Sequence, residues 1–277
     1  MRYEKLTNLS NNEFKRLTGV SKNIFGKMTQ ILKEAQASSR KYRGGTKAVF
    51  SMEDKLLMTL EYWREYRTYF HIAKSYGASE GHAFKCIRFV EDTLIKHKDF
   101  ALPGRKALLS AKPEDVALID VSESPIERPK KNQKAYYSGK KKRHTIKTQL
   151  VVDKNNKEVV CTNFEKGKVH DFRVLKESNV KFAEEATVLA DSGYQGLQKL
   201  HSKTTLPHKR KKKQPLSLEQ KTHNKQLARN RVLNENVIGV LKRFKIIADR
   251  YRNRRKRFGL RFNLIAAIYN LQLTYKL

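Results

Sequence analysis

An excess of positive charge is the feature that most constrains this chain. Among its 277 residues, 60 Lys and Arg face 27 Asp and Glu, which gives a formal net charge of +33 at pH 7. Because these like charges repel one another in a compact fold, the chain is expected to bind a polyanion, and nucleic acid is the commonest one. The last quarter, residues 208–277, holds 20 basic side chains against 3 acidic ones. The sequence therefore predicts a nucleic-acid-binding surface to which this quarter contributes most.

Other classes of protein fit the sequence less well. The longest apolar run, 264–269, has six residues, whereas a membrane-spanning helix needs about 20. The first residues lack the apolar stretch of a secretion signal. Cys86 and Cys161 lie far apart and outside any CxxC pattern, which argues against a disulfide scaffold or a structural zinc site. With 39% apolar residues, the chain is too hydrophobic for a disordered basic tail. We therefore expect a folded intracellular protein with no membrane partner.

Helical spacing of apolar residues dominates residues 1–110. Three successive segments each carry an apolar stripe, a set of residues that would share one helix face. The stripes are Met52, Leu56, Leu57, Leu60 and Trp63, then Phe70, Ala73 and Tyr76, then Ala83, Ile87, Val90 and Leu94. Gly77 falls where a turn is needed between the second and third stripes, and Ser79 is a good N-cap for a helix that runs to about Leu94. The basic segment 38–45 is expected to connect this region to what precedes it.

This arrangement predicts a helix-turn-helix DNA-binding domain, because a small residue four positions before a turn glycine lets two helices cross. The helix after the turn would offer Ser79, His82, Lys85 and Arg88 to a major groove. Any compact helical bundle shows similar spacing, and the net charge favours the DNA-binding alternative.

Strand patterns begin after Pro113. Apolar, β-prone runs occupy 116–121 and 187–191, and 144–152 with 158–164 reads as a hairpin. A short helix is expected at 170–178, and long helices at 227–247 and 260–273. We predict an α/β fold, a mixed sheet flanked by helices, preceded by an all-α domain. The domain boundaries expected are 1–110 and 111–277.

Two acids lie at the ends of these apolar runs, Asp120 and Asp191. Two carboxylates on neighbouring buried strands repel each other unless a divalent metal ion lies between them, and carboxylate oxygens suit magnesium. A third acid on a helix would complete a two-metal site. Glu235 is the candidate, since Arg231 and Lys242 share its helix face, although an ordinary surface glutamate fits that pattern equally well.

Seven motifs follow one another along residues 120–267. They are DVSESPIERPK (120–130), YYSGKKKRHT (136–145), GKVHDF (167–172), ADSGYQG (190–196), NRVLNEN (230–236), YRNRRKRF (251–258) and RFNLIAA (261–267). In this order they resemble bacterial insertion-sequence transposases of the DDE superfamily, in the branch related to Harbinger-type DDE endonucleases. One departure is Ala228, where related transposases carry a tyrosine before the last acid.

The resemblance implies a ribonuclease-H-like catalytic domain that uses Asp120, Asp191 and Glu235 as catalytic residues and metal ligands. It implies two magnesium ions, with manganese as an alternative, and Glu123 and Asp171 rank as supporting acids. Phosphate contacts are expected from cations of the last quarter and its basic runs, namely Arg231, Lys242, Arg250, Arg252, Arg254 and Arg255. Expected partners are the double-stranded DNA of element ends and target, and a second copy of the chain, in the bacterial cytoplasm at the nucleoid.

Three alternative functions remain open at this stage. A host-adopted or inactive relative would bind DNA without cutting it. An RNA-binding or ribosome-associated protein would have no use for acids on buried strands, and another nuclease on the same fold would not need the helix-turn-helix.

Overall fold

The computed structural model describes residues 2–39, 48–210 and 214–275. These residues form two compact units. The first consists of Met1–Ala101, Lys242–Ala248 and Arg254–Leu277, and the second of Leu102–Leu241 and Asp249–Asn253. Most of the predicted connector at 38–45, and Lys211 to Lys213 of the basic run at 209–213, lie outside the described residues.

The first unit is helical. Its helices are α1 (Asn11–Thr18), α2 (Lys22–Ser39), α3 (Met52–Arg64), α4 (Tyr69–Tyr76), α5 (Glu80–Leu94), and, from the end of the chain, α9 (Lys245–Ala248) and α10 (Phe258–Thr274). The predicted boundary assigned all of 111–277 to the second domain, whereas here two C-terminal segments pack with the N-terminal helices. Sequence spacing could not indicate this, because it depends on which distant surfaces meet.

The helix-turn-helix expected from the sequence is present as α4, a turn and α5. Gly77 forms the turn with a φ of +65°, a conformation that glycine adopts without strain. The Ser79 hydroxyl accepts a hydrogen bond from the His82 N–H at 3.2 Å and caps α5. Ala73 and Tyr76 of α4 are buried as expected, whereas Phe70, which was expected to face inward, is 52% exposed and Ile72 is buried instead.

A buried ionic cluster joins α10 to α5 within the first unit. The Glu91 carboxylate is fully buried and accepts hydrogen bonds from Arg261 Nε at 2.7 Å, Arg257 Nε at 2.9 Å and the Trp63 indole N–H at 3.1 Å. The Arg261 guanidinium also lies over the Tyr62 ring, 5.1 Å from its centroid. With several donors on one carboxylate, the charge is compensated at every side, as a buried ion requires.

The second unit is built on a mixed sheet. Its strands are β1 (Val116–Pro125), β2 (Tyr137–Ser138), β3 (Arg143–Asp153), β4 (Val159–Lys166), β5 (Thr187–Leu189) and β6 (Thr204–Thr205). The order across the sheet is β4-β3-β1-β5-β6, with β2 also pairing with β3. Strands β1, β3 and β4 are antiparallel neighbours, whereas β5 runs parallel to β1 and β6 parallel to β5.

Helices cover both faces of this sheet, since side chains alternate along each strand. Leu175 of α7 (Asp171–Glu177) packs with Ile119 and Val151 on one face. Arg231 of α8 (Leu218–Leu241) approaches Asp120, which points to the other face. A further short helix, α6 (Gln133–Tyr136), precedes β2. The predicted α/β fold with a mixed sheet, and the helical region before it, are confirmed.

The helix expected over 227–247 is two helices in the structure. It ends at Leu241, and α9 begins at Lys245. No proline or glycine stands between them. The break is set by packing in the first unit, where the Phe244 ring is buried against Gly19. Within the described ranges, no helix is both long enough and apolar enough to cross a bilayer.

Replacing Glu91 by Ala should lower the free energy of unfolding of the first unit by about 3–5 kcal/mol, because the buried Arg261 would lose its counter-charge. Trp63 is the single tryptophan and lies in this cluster, so its fluorescence during urea denaturation reports the loss directly. The Asp92 side chain is 43% exposed, and Asp92→Asn should cost less than about 1 kcal/mol. Equal losses in the two variants would contradict this account of the cluster.

Candidate active site

The two acids predicted at strand ends lie level with each other, Asp120 within β1 and Asp191 two residues past the end of the neighbouring β5. Leu118 of β1 pairs with Leu189 of β5 in parallel register, so Asp120 and Asp191 each follow two residues later. Asp120 was expected at the end of its strand, but β1 continues to Pro125 because residues 121–125 keep pairing with β3. Asp191 follows the end of β5, as predicted.

Backbone N–H groups fix both carboxylates. The Val121 N–H donates to Asp120 Oδ1 at 2.7 Å, and the Gly193 N–H donates to Asp191 Oδ1 at 2.7 Å. Arg231 Nη2 lies 3.9 Å from Asp120 Oδ2. The pKa of Asp120 is raised to about 6, chiefly by burial and to a smaller extent by the charges of Asp191 and Asp171, against the opposing effects of the Val121 N–H and Arg231.

Asp171 reaches the same place from the start of α7. A Cβ on Gly193 would lie 2.9 Å from both Asp171 Oδ2 and Asp191 Oδ1, so only glycine fits between the two carboxylates. Asp171 Oδ1 accepts a hydrogen bond from the Lys147 ammonium at 2.7 Å. Asp171 was predicted as a supporting acid, and Lys147 was not predicted to have a role. A lysine inside a largely apolar strand is unusual, and this was the signal in the sequence that could have identified it.

Glu235 lies on α8 one turn beyond Arg231, and its residue is exposed. The neighbouring Asn234 is 1% exposed, and neither polar atom of its side chain has a hydrogen-bond partner in the described protein. Thus α8 turns Arg231 towards Asp120. Over residues 2–39, 48–210 and 214–275, no three His, Cys, Asp or Glu side chains converge tightly enough to hold a metal ion as they stand.

The chemistry of the site nevertheless fits a divalent cation. Asp120 and Asp191 offer carboxylate oxygens, the ligands that magnesium and manganese take. Their mutual repulsion and the burial of Asp120 mean that a cation between them would be favoured.

Of the predicted DNA-binding residues of the first unit, Ser79 and His82 make contacts that support α5, whereas Lys85 and Arg88 are cations along that helix. Ser79 caps α5, and the His82 ring lies against Phe50 with centroids 5.2 Å apart, although its residue is exposed. Lys85 is exposed on α5. The Arg88 guanidinium lies 5.9 Å from the Phe84 ring centroid and 3.4 Å from the Asp92 carboxylate.

The cations of the last quarter differ in their surroundings. Arg231 is partly buried beside Asp120, and Lys242 lies just past the end of α8, half-buried, rather than on the helix face predicted for it. The exposed members are Arg250, Arg252, Arg254 and Arg255. Arg257, which ends the same basic run, binds Glu91 and Asp92 inside the first unit. A basic run in sequence therefore mixes surface cations with structural ones.

In metal-free buffer, Asp120→Asn should stabilise the second unit by about 2–3 kcal/mol near neutral pH. The folded pKa of about 6 lies above the usual value of 3.8, so the ionised carboxylate destabilises the fold above about pH 6. This difference should disappear as the pH falls through the folded value towards the unfolded one. Far-UV circular dichroism during urea denaturation at about pH 7 and about pH 4 measures it.

Glu185→Gln is the control, because Glu185 pairs with Lys203 at the surface and should change stability little. A loss of stability in Asp120→Asn at neutral pH would contradict the cost assigned here to the buried, ionised Asp120 carboxylate.

Comparisons with known proteins place the chain in a family. Residues 119–270 match the family described as DDE superfamily endonuclease, and residues 48–98 match the helix-turn-helix of DDE superfamily endonuclease. The probable transposase for insertion sequence element IS702 of Microchaete diplosiphon is 44% identical over 277 residues, which is 100% of both chains. No solved structure matches the chain. The chain therefore belongs to the DDE superfamily of endonucleases, among its insertion-sequence transposases, with the helix-turn-helix of that superfamily in its N-terminal half.

Proposed function

We propose that this protein is a DNA transposase that binds the terminal inverted repeats of an insertion sequence and catalyses cleavage and strand transfer at its ends. The observation that carries the proposal is the level placement of Asp120 in β1 and Asp191 just past the end of the neighbouring β5, inside the endonuclease region. The full-length likeness to a probable insertion-sequence transposase supports it.

Endonucleases of this superfamily depend on divalent metal ions. We propose Asp120, Asp191 and Glu235 as the residues that hold magnesium, as two ions, with manganese as an alternative. When bound, the metal supplies the activation of a water or 3′-hydroxyl for in-line attack on a phosphodiester.

The chain's own residues prepare this chemistry before DNA arrives. Backbone N–H groups fix one oxygen of Asp120 and one of Asp191, so neither carboxylate has to be ordered on binding. Arg231 is held at the site as a cation for a phosphate group of the bound strand. Glu235 lies one turn beyond Arg231 on the same helix, and we propose that it completes the metal site when DNA and metal bind.

Each unit offers its own cations to DNA. On the first unit we propose Lys85 and Arg88 as base or phosphate contacts of α5, with Arg254 and Arg255 as phosphate contacts. Ser79 and His82 support α5 through the contacts described above. Lys242 also belongs to the first unit, and Arg250 and Arg252 belong to the second. Because transposition joins two ends, we propose a dimer or larger assembly on DNA, in the cytoplasm at the nucleoid.

Asp120→Asn, Asp191→Asn and Glu235→Gln should each reduce cleavage of a duplex carrying the element's own ends by at least about 10³-fold, because each removes a negative charge from the metal site. Gel analysis of products with magnesium measures it, and a shift assay checks that binding persists. Glu185→Gln, a surface carboxylate, is the matched control. Undiminished cutting by Glu235→Gln would remove Glu235 from the site.

If the wild type binds the duplex but never cuts it with magnesium or manganese, the protein is an inactive DNA-binding relative.

Lys85→Ala should weaken binding to the end-containing duplex and reduce the salt dependence of log Kd by about one, because one phosphate contact is lost. Fluorescence anisotropy over a series of salt concentrations measures both quantities. Lys5 is exposed in the same unit outside the helix-turn-helix, so Lys5→Ala should leave both unchanged. Ser79→Ala should instead lower stability by about 1 kcal/mol through loss of the N-cap.

A further inference from the structure

A buried lysine stands beside the acids of the candidate active site. Lys147 is 8% exposed, and its ammonium donates to Asp171 Oδ1 and to the Val169 carbonyl oxygen, both at 2.7 Å. A buried ammonium is retained only where partners replace water. This pair therefore fixes the Asp171 carboxylate at the start of α7.

Asp171 belongs to the same group of acids as Asp191. Asp171 Oδ2 and Asp191 Oδ1 each lie 2.9 Å from the position of a Cβ on Gly193, so these oxygens cannot be further apart than twice that distance. The charge of Asp171 also acts on Asp120, whose pKa it helps to raise after burial. Three carboxylates thus share one region, with Lys147 and Arg231 as cations next to them.

An unpaired hydroxyl points to a ligand in this region. Tyr194 is fully buried, and its hydroxyl has no hydrogen-bond partner in the described protein. Burial raises its pKa well above the usual value, and the charges of Asp120, Asp171 and Asp191 raise it further. A buried hydroxyl without a partner is energetically unfavourable, and a polar, cation-centred ligand shared with the three nearby carboxylates would satisfy it.

We propose that Asp171 is a positioning residue of the metal site and that Lys147 is its built-in counter-charge. Lys147 fixes Asp171 beside Asp191, and the charge of Asp171 adds to the negative potential that attracts a divalent cation. The Lys147 ammonium offsets part of the repulsion among the carboxylates while no cation is bound. The inference rests on the proposed function, because it assumes that Asp120 and Asp191 bind the metal.

The two members of the pair should act in opposite directions on metal affinity. Asp171→Asn keeps the shape and an acceptor for Lys147 but removes a negative charge, so manganese should bind about 10-fold more weakly or worse. Lys147→Met removes a positive charge, so manganese should bind more tightly, and the metal-free protein should unfold at lower urea concentration. A purely structural pair would lower affinity in both variants.

The experiment is isothermal titration calorimetry of the full-length protein with manganese chloride, which measures manganese affinity. Urea denaturation in EDTA and in manganese measures stability. Lys147→Arg should retain both affinity and stability. Glu177→Gln is the matched control, because it removes a carboxylate of α7 that pairs with Arg173 at the surface. Should Lys147→Met fail to fold, Asp171→Asn and Lys147→Arg still decide the question.

The outcomes separate this inference from the proposed function. If the wild type binds no manganese, or Asp120→Asn binds it as tightly, the metal site itself is wrong. If Asp120→Asn abolishes binding while Asp171→Asn matches the wild type and Glu177→Gln, only the role of Asp171 is overturned. Weaker binding in Lys147→Met would overturn the role of Lys147 as counter-charge.

Discussion

The placement of three carboxylates in a largely buried region is the constraint around which the candidate site of the second unit is built. Parallel pairing of β1 with β5 forces Asp120 and Asp191 to the same level, and the tight turn at Gly193 brings in Asp171. Charges so arranged destabilise a fold by themselves, and natural chains retain them where function requires it. The cations Lys147 and Arg231 offset part of the destabilisation that these carboxylate charges cause. Asp120 and Asp191 are therefore held in place without a ligand, and their electrostatics favour a cation.

In the first unit, a single buried carboxylate binds two cations. Helix α5 and the start of α10 meet at Glu91, where a buried carboxylate binds Arg257 and Arg261. One buried acid thus holds two arginine side chains inside this unit. The aromatic rings of Trp63 and Tyr62 complete the surroundings of these charges. Positive charge on this unit consequently has two separate uses, structural in the interior and available to DNA at the surface.

Local patterns predicted much of this architecture. The stripes that indicated α3 and α5 are buried as expected, and the turn at Gly77, the cap at Ser79 and the hairpin of β3 and β4 follow from residues adjacent in sequence. What local patterns could not predict are long-range encounters. These include the return of α10 to the first unit, the break before α9, and the pairing of Lys147 with Asp171. The level placement of Asp120 with Asp191 was expected from their strands, whereas the exposure of Glu235 depends on how α8 is rotated.

The return of α10 has a consequence for synthesis. Domains generally fold in order as the chain leaves the ribosome, but the unit that carries the helix-turn-helix includes residues 254–277. Glu91 therefore has no bound cations until translation has passed Arg257 and Arg261. A prematurely terminated product would leave that carboxylate buried without its cations, so an incomplete chain would be a poor competitor for the same DNA.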